Sequence, residues 1–310
     1  MKILFMGTPD FAVFSLRALA NSEHEIAAVI TQPDKPKGRG YTLTPPPVKI
    51  VANELSIPVY QPTTLRSDEF SQLLSKINPD ICVVVAYGKI LPENVLKYPK
   101  YGCINVHGSL LPEYRGAAPM QRAIIDGKTV TGITTMYMDV GLDTGDMLLT
   151  EEIEITDGDN FETVHDKLGE CGAALIVRTV NDIEKGLAVR IPQNEALATY
   201  AAKITKEDCV LSFDRSAREI HNLIRGLSPV PLSFTHTPDG KLLKITASRI
   251  ANEDKEYATP GEVISLDGGI TVACQKGAIT LLGVLPEGKG RMSSEDFVRG
   301  RRIALGDILK

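Results

Sequence analysis

Three side chains in this sequence are of types that can hydrogen-bond to a bound group or move its protons: Asn105, His107 and Asp143. Asn105 and His107 alternate with the β-branched Ile104 and Val106. The stretch therefore reads as a strand, and its period of two puts both polar side chains on one side, about 7 Å apart along the strand. Ser-Leu-Leu-Pro then leaves the strand. A polar pair at the carboxyl end of a buried strand, followed by a loop, is where open α/β sheets hold ligands. Asn105 can donate an amide hydrogen bond to a developing oxyanion. His107 can relay protons near neutrality or donate to the same oxyanion. Asp143 sits between Gly141 and Gly145 in Val140–Asp146, a tight loop between two strand-like runs. From there it can orient a histidine and favour its imidazolium. None of the three is a strong nucleophile. On pattern alone a plainer reading stays open, with Asn105 and His107 as hydrogen-bonded strand-end residues and Val140–Asp146 as an Asp-rich hairpin turn.

The elements that must position these residues follow a βαβ plan. Lys2–Met6 is an apolar strand, Gly7-Thr8-Pro9 turns, and Phe11–Ala20 carries apolar residues at helical spacing, with Pro9 suited to the first helical position. Ile26–Ile30 is a second strand. A nicotinamide site fails on detail, because Gly-x-Gly-x-x-Gly is absent and the second strand ends Val-Ile-Thr-Gln without an acidic residue for a ribose. Gln32 to Pro47 reads as neither helix nor strand, with five prolines, two glycines and the basic Lys35, Lys37 and Arg39 at every second position. A loop of that length inside a compact domain is usually functional or disordered. Val48–Leu55 and Ser67–Ile77 read as helices, and Val59-Tyr60 as a short strand. Asp80–Ala86 is the most apolar strand and is expected at the sheet centre, covered on both faces. After it, Gly88 fits either a close backbone approach to a ligand or a plain strand-to-helix turn. Ala117–Ile125 is helix-like, Thr131–Asp139 and Met147–Ile155 are paired strands, and Asn160–Lys185 is a long helix weakened by Gly169 and Gly172. Gly186–Thr205 has few patterns and reads as a linker. Beyond it a helix over Arg215–Leu227, expected to be capped by Asp214, precedes five or so short strands separated by turn pairs such as Asp239-Gly240. Such strands suggest a small barrel of the oligonucleotide-binding kind.

At 310 residues the chain is long enough for two domains. The expected division is residues 1–188, a linker over 189–205, and 206–310. Met1–Met6 is too short for a signal peptide, and no apolar run approaches the length of a membrane span. The five cysteines are scattered singly and suit a reducing cytoplasm better than a disulfide framework or a zinc site, and the remaining histidines lack metal-ligand spacing. No metal and no membrane partner is expected. The net charge of −5 argues against indiscriminate nucleic-acid binding. It is unevenly placed: residues 1–205 carry 25 acidic against 19 basic side chains, and residues 206–310 carry 14 against 15. The relatively basic back half permits an RNA partner.

The motifs also carry a resemblance. Asn105-Val106-His107-Gly108-Ser109-Leu110-Leu111-Pro112-x-Tyr114-Arg115-Gly116 resembles the signature of the folate-dependent formyltransferases, and Asp139–Asp146 resembles that family's second motif. Gly7-Thr8-Pro9-Asp10-Phe11-Ala12 and the stretch from Thr31 to Gly40 narrow the resemblance to members that formylate methionyl-tRNA. The resemblance runs the whole length and weakens after about Tyr200. It implies a Rossmann-like, mostly parallel sheet followed by a small OB-like barrel that binds tRNA. It implies transfer of a formyl group from 10-formyltetrahydrofolate, a consumed substrate rather than a bound cofactor, to the α-amine of initiator methionyl-tRNA in the cytoplasm. By the same resemblance Asn105, His107 and Asp143 are catalytic. Ser109, Leu110, Leu111 and Pro112, with Ala86, Tyr87 and Gly88, line the folate pocket. Arg39, with Lys35, Lys37 and Phe11, meets the tRNA acceptor end. A monomer is expected. The chain departs from the family in having Pro229-Val230-Pro231 where a Trp commonly lies between two prolines, and it has no Trp at all. Two other readings remain at this level. One keeps the chemistry and changes the acceptor to an amino-sugar or ribonucleotide amine; the other is an RNA-binding protein with an inert α/β domain.

Overall fold

The structure, a computed structural model, describes residues 1–37 and 42–310. By proximity the chain forms two units. The first comprises Met1–Gly116, Thr131–Ile153 and His165–Tyr200, and the second Ala117–Val130, Glu154–Val164 and Ala201–Lys310.

The first unit opens with β1 (Lys2–Gly7), α1 (Asp10–Ala20) and β2 (Glu25–Ile30). Pro9 is the residue preceding α1 rather than its first helical residue, and its extended backbone turns the chain into the helix. The helix buries Phe11, Ala12, Ser15, Leu16 and Leu19, one stripe at helical spacing. The segment expected to be irregular contains a two-stranded antiparallel hairpin, β3 (Lys35–Lys37) with β4 (Thr42–Thr44), and its last proline, Pro47, begins α2 (Pro47–Glu54). Pro36 is tolerated in β3 because the strand has a partner on one side alone. Then come β5 (Val59–Tyr60), α3 (Asp68–Ile77) and β6 (Ile81–Val85). Ser67 caps α3 by accepting from the Phe70 amide, and Asn78 ends it in the left-handed conformation. A short α4 (Glu93–Leu96), β7 (Cys103–His107) and β8 (Arg115–Gly116) follow; α5 (Pro119–Ile125) belongs to the second unit. The strands β9 (Val130–Tyr137) and β10 (Met147–Glu154) and the helix α6 (Phe161–Glu184) come next, and β11 (Tyr200–Ala201) ends this stretch.

The seven-stranded sheet has the order β10-β9-β7-β6-β1-β2-β5. The pairs from β5 to β7 are parallel, and β9 joins β7 antiparallel. β6 is the central strand, buried at all five positions, as its unbroken Ile-Cys-Val-Val-Val run requires. α6 is continuous through its two glycines because they are contact points. A Cβ on Gly169 would lie 2.6 Å from the Phe14 ring, and one on Gly172 would lie 3.1 Å from Val106 on β7. Helix propensity is given up there for close packing.

The second unit continues with α7 (Ala217–Gly226), β12 (Ser233–His236), β13 (Leu242–Glu256), β14 (Val263–Ser265), β15 (Ile270–Ala273), β16 (Lys276–Pro286), β17 (Met292–Ser293) and α8 (Ser294–Arg299). The cap of α7 is Ser216, not Asp214: its hydroxyl accepts from the Glu219 amide while the Glu219 carboxylate accepts from the Ser216 amide. The strands form an antiparallel sheet of order β12-β13-β16-β15-β14, with β17 on β16. Register shifts along the β13–β16 pair break the ladder at four places, and each bulge bends and twists the strands further. Ile220, Leu223, Ile224 and Leu227 of α7 and its C-terminus pack with Leu243, Ile245, Ile279 and Leu281 in one core.

Candidate active site

β7 delivers Asn105 and His107 at its carboxyl end, with Val106 turned to the opposite face against α6. His107 is buried and Asn105 half-buried. The next residues form a tight loop pinned from below by Thr134 of β9. Its hydroxyl donates to the Ser109 carbonyl at 2.7 Å and accepts from the Leu111 amide at 3.1 Å. The Ser109 hydroxyl donates to the Glu113 carbonyl at 2.7 Å, so Ser109, fully buried, builds the loop from within. Leu110 and Pro112 keep partial exposure. Tyr114 is left-handed at φ 59°, which turns its carbonyl to His107 Nε2 at 3.0 Å. A carbonyl only accepts, so Nε2 carries a hydrogen in this contact.

Asp143 reaches the same place from the loop between β9 and β10. It too is left-handed, at φ 53°. Its Oδ2 accepts from the Gly116 amide at 2.8 Å and lies 3.7 Å from His107 Nδ1; its Oδ1 lies 3.5 Å from Asn105 Nδ2. The three expected residues therefore converge, with Asp143 between the other two. Gly145 closes the loop on the strand before it, since a Cβ there would sit 1.9 Å from the Tyr137 carbonyl oxygen.

The remaining candidates occupy other places. After β6, Ala86 and Gly88 are exposed with φ 46° and 83°, whereas Tyr87 is 2% exposed. The Tyr87 ring joins the core with Leu65, Phe70 and Leu91, and burial pushes its hydroxyl up to about 12. At Tyr87 it is the backbone that faces outward elements, its carbonyl accepting from Thr8 Oγ1 and Gln32 Nε2. Phe11 is 7% exposed, with its ring 5.4 Å from that of His165. The Asp10 carboxylate raises His165 above the ordinary histidine range against the opposing effect of burial. Lys35 is exposed on β3, Lys37 ends that strand, and Arg39 lies outside the described residues. The stem of that segment is anchored by Lys49, which donates to both Asp34 oxygens at 2.9 and 2.8 Å, and by Gln61, which donates to Asp34 Oδ1 at 2.7 Å. No group of three or more potential metal ligands occurs among the described residues.

Sequence reasoning passed over the residues that hold Asp143 in place. Arg115 is fully buried, and its guanidinium donates to Gln193 Oε1 from Nε at 3.0 Å and Nη2 at 2.8 Å, and to Glu195 at 2.9 and 2.6 Å. Gln193 Nε2 donates to the Asp143 and Gly145 carbonyls, both at 2.8 Å. Arg115 stood in a quoted motif, but Gln193 and Glu195 lie in the stretch read as a linker. Their one local signal is Asn194, which caps a short turn by accepting from Ala196.

Compared with known proteins, residues 1–180 match the formyl transferase family and residues 203–302 match the formyl transferase C-terminal domain. The chain belongs to the formyl transferase family. It is 47% identical over 310 residues to the methionyl-tRNA formyltransferase of Desulforamulus reducens, covering 100% of this chain and 98% of that one. It is 48% identical over 310 residues to the methionyl-tRNA formyltransferase of Syntrophus aciditrophicus, covering 100% and 99%. Among solved structures it is similar to the N-formyltransferase of Helicobacter canadensis in complex with folinic acid and dTDP-3-aminofucose, with a TM-score of 0.68 and 19% identity over 91% of this chain and 98% of that one. It is also similar to HypX of Aquifex aeolicus in complex with tetrahydrofolic acid, with a TM-score of 0.63 and 16% identity over 96% of this chain and 47% of that one. At those identities the two structures speak for the fold alone.

Proposed function

We propose that the chain transfers the formyl group of 10-formyltetrahydrofolate to the α-amine of initiator methionyl-tRNA, giving N-formylmethionyl-tRNA for translation initiation. The observation that carries the chemistry is the convergence of Asn105, His107 and Asp143 at the carboxyl end of β7, with Asp143 within 3.7 Å of the imidazole. The acceptor rests on the full-length similarity to enzymes named for it. The amine attacks the formyl carbon, and the carbonyl oxygen gains negative charge. In this reading the Asn105 amide donates to that oxygen. The attacking nitrogen loses a proton, the N10–formyl bond breaks, and N10 leaves with a proton returned to it. In this reading His107, held at Nε2 by the Tyr114 carbonyl, takes and returns these protons at Nδ1, beside Asp143.

In this reading residues 1–188 are the catalytic domain, 189–205 the stretch that links the domains while packing on the site through Gln193 and Glu195, and 206–310 a domain that adds tRNA affinity. Ser109–Pro112 and the exposed backbone of Ala86 and Gly88 face the folate. Lys35, Lys37 and Arg39 meet the acceptor end, where cationic side chains hold phosphates while the terminal nucleotides splay. The buried Phe11 and Tyr87 act through packing. The enzyme works as a cytoplasmic monomer; no helix among the described residues is long and apolar enough to cross a membrane. The deciding experiment measures formylation of charged initiator tRNA beside charged elongator tRNA and a dTDP-amino-sugar, each with 10-formyltetrahydrofolate. Preference for the initiator tRNA is expected. Equal or better turnover of the sugar nucleotide would refute the acceptor assignment.

A further inference from the structure

We propose that Gln193 is a positioning residue for Asp143, and that the segment from Arg190 to Thr199 is a working part of the active site rather than a passive connection. The proposal rests on the catalytic reading of Asp143 given above. Asp143 must hold a left-handed backbone, with its carboxylate between Asn105 and His107. Its own carbonyl and that of Gly145 both accept from one side chain. The two hydrogens of the Gln193 amide satisfy both, each at 2.8 Å. The amide cannot flip. Its Oε1 faces Nε and Nη2 of Arg115, which only donate, and its Nε2 faces two carbonyls, which only accept. Arg115 is in turn held by Glu195, whose carboxyl the guanidinium keeps below the usual range.

The clamp grips both walls of the site. Arg115 lies between Tyr114, whose carbonyl holds His107, and Gly116, whose amide holds the Asp143 carboxylate. Thr199 fixes the same wall, accepting from the Tyr114 amide at its hydroxyl (2.8 Å) and from the Arg115 amide at its carbonyl (2.9 Å). On the opposite wall, Ile191 pairs with Met147, and Arg190 reaches Asp146 at 2.8 Å. Gln193 joins the two walls a second time, beside the bond from the Gly116 amide to the Asp143 carboxylate. Glutamate has the same reach but would set a carboxylate against two carbonyls. Asparagine is one methylene short, and leucine has the bulk without the polarity.

The test is a kinetic cycle on the full chain: Gln193→Leu, Asp143→Ala and the double variant, each with kcat and KM for 10-formyltetrahydrofolate and for charged tRNA. Gln193→Leu should lower kcat on the order of 10²-fold with both KM values unchanged, as expected when a reacting group is displaced by about 1 Å. In the Asp143→Ala background the same substitution should cost nothing further, because its effect passes through Asp143. A full additional loss in the double variant, or wild-type kcat in Gln193→Leu, overturns the proposal and leaves the catalytic reading of Asp143 standing. Wild-type turnover in Asp143→Ala overturns both. If Gln193→Leu does not fold, Gln193→Glu, which keeps the shape, decides: a lowered kcat with KM values unchanged is expected of the folded variant, and wild-type kcat overturns the assignment.

Discussion

Asp143→Asn isolates what the carboxylate charge contributes. Asparagine keeps the size, the tolerance for a left-handed backbone and one oxygen for the Gly116 amide. What disappears is a negative charge 3.7 Å from His107 Nδ1. At an effective dielectric constant of about 20, two unit charges at that distance attract by about 4.5 kcal/mol. The Asp143 side chain is 15% exposed and His107 is 6% exposed, so part of that attraction is screened. Taking about half as the share felt by an imidazolium in the transition state leaves about 2 kcal/mol, or roughly 30-fold in rate, with about 10³-fold as the upper bound. The amide would also present hydrogens where His107 or Asn105 now meets an acceptor, so the lower figure is a floor. Single-turnover formylation of charged initiator tRNA, with donor saturating, reads the chemical step directly. The rate should fall at least about 30-fold while donor and tRNA affinities stay as in wild type. A fall of less than about threefold, or a loss confined to KM, would show that the charge is not used in the step.

Other outcomes follow from particular contacts. Gly145→Ala places a Cβ 1.9 Å from the Tyr137 carbonyl oxygen, so the loop must move; kcat should drop on the order of 10²-fold, and Tm should fall too, in thermal unfolding beside the kinetic assay. His221 is held below the ordinary histidine range first by burial, then by Arg225 and Arg218, so its contribution is present above about pH 6.5 and is lost as pH falls below that, when the unfolded chain takes up the proton first. His165 is raised by Asp10, so its contribution is full below about pH 6.5 and is lost as pH rises through its higher folded value. Tm measured from pH 5 to 8 should therefore flatten on the acid side in His221→Gln and on the alkaline side in His165→Gln; the reverse pattern would contradict both signs. Arg39→Ala should raise KM for charged tRNA and flatten the salt dependence by a slope of about 0.7–0.9, with donor binding unaffected. Wild-type formylation at every salt concentration would remove Arg39 from the acceptor contact.

The sequence made legible those features that repeat locally. The alternation around Asn105 and His107, the unbroken apolar run of β6 and the glycines bracketing Asp143 each leave a short-range pattern, and each element stands where the pattern puts it. Features that depend on a distant partner were not legible. Gln193 pairs with residues about fifty and eighty positions away, and nothing in its neighbours marks it. Pro36 hid β3, because a proline normally excludes a strand unless that strand lies on an edge. Gly169 and Gly172 looked like weak points in α6, since their cost is local while the close approach they permit is tertiary. At α7, Asp214 and Ser216 are both good capping types. The choice between them was decided by Glu219, which is three residues after Ser216 and so completes the reciprocal pair.

The distances within the site carry a further consequence. Asp143 is bound firmly through the Gly116 amide at 2.8 Å and, at its backbone, through Gln193 at 2.8 Å, whereas its contacts to Asn105 and His107 are longer, at 3.5 and 3.7 Å. Its position is thus set by groups that do not change charge during turnover. In the proposed mechanism a carboxylate held mainly by the imidazole would shift each time His107 gained or lost a proton. One held by an amide and a clamped glutamine stays in place through both states. Left-handed backbone at Tyr114 and Asp143 is the cost of that arrangement, of order 1–3 kcal/mol for each such residue, and it persists because Thr199, Arg115 and Gln193 over-determine the two turns. In the proposed mechanism the long contacts from Asp143 to Asn105 and to His107 Nδ1 are the ones that change when a substrate carbonyl arrives, as catalytic hydrogen bonds tighten when the reacting complex forms.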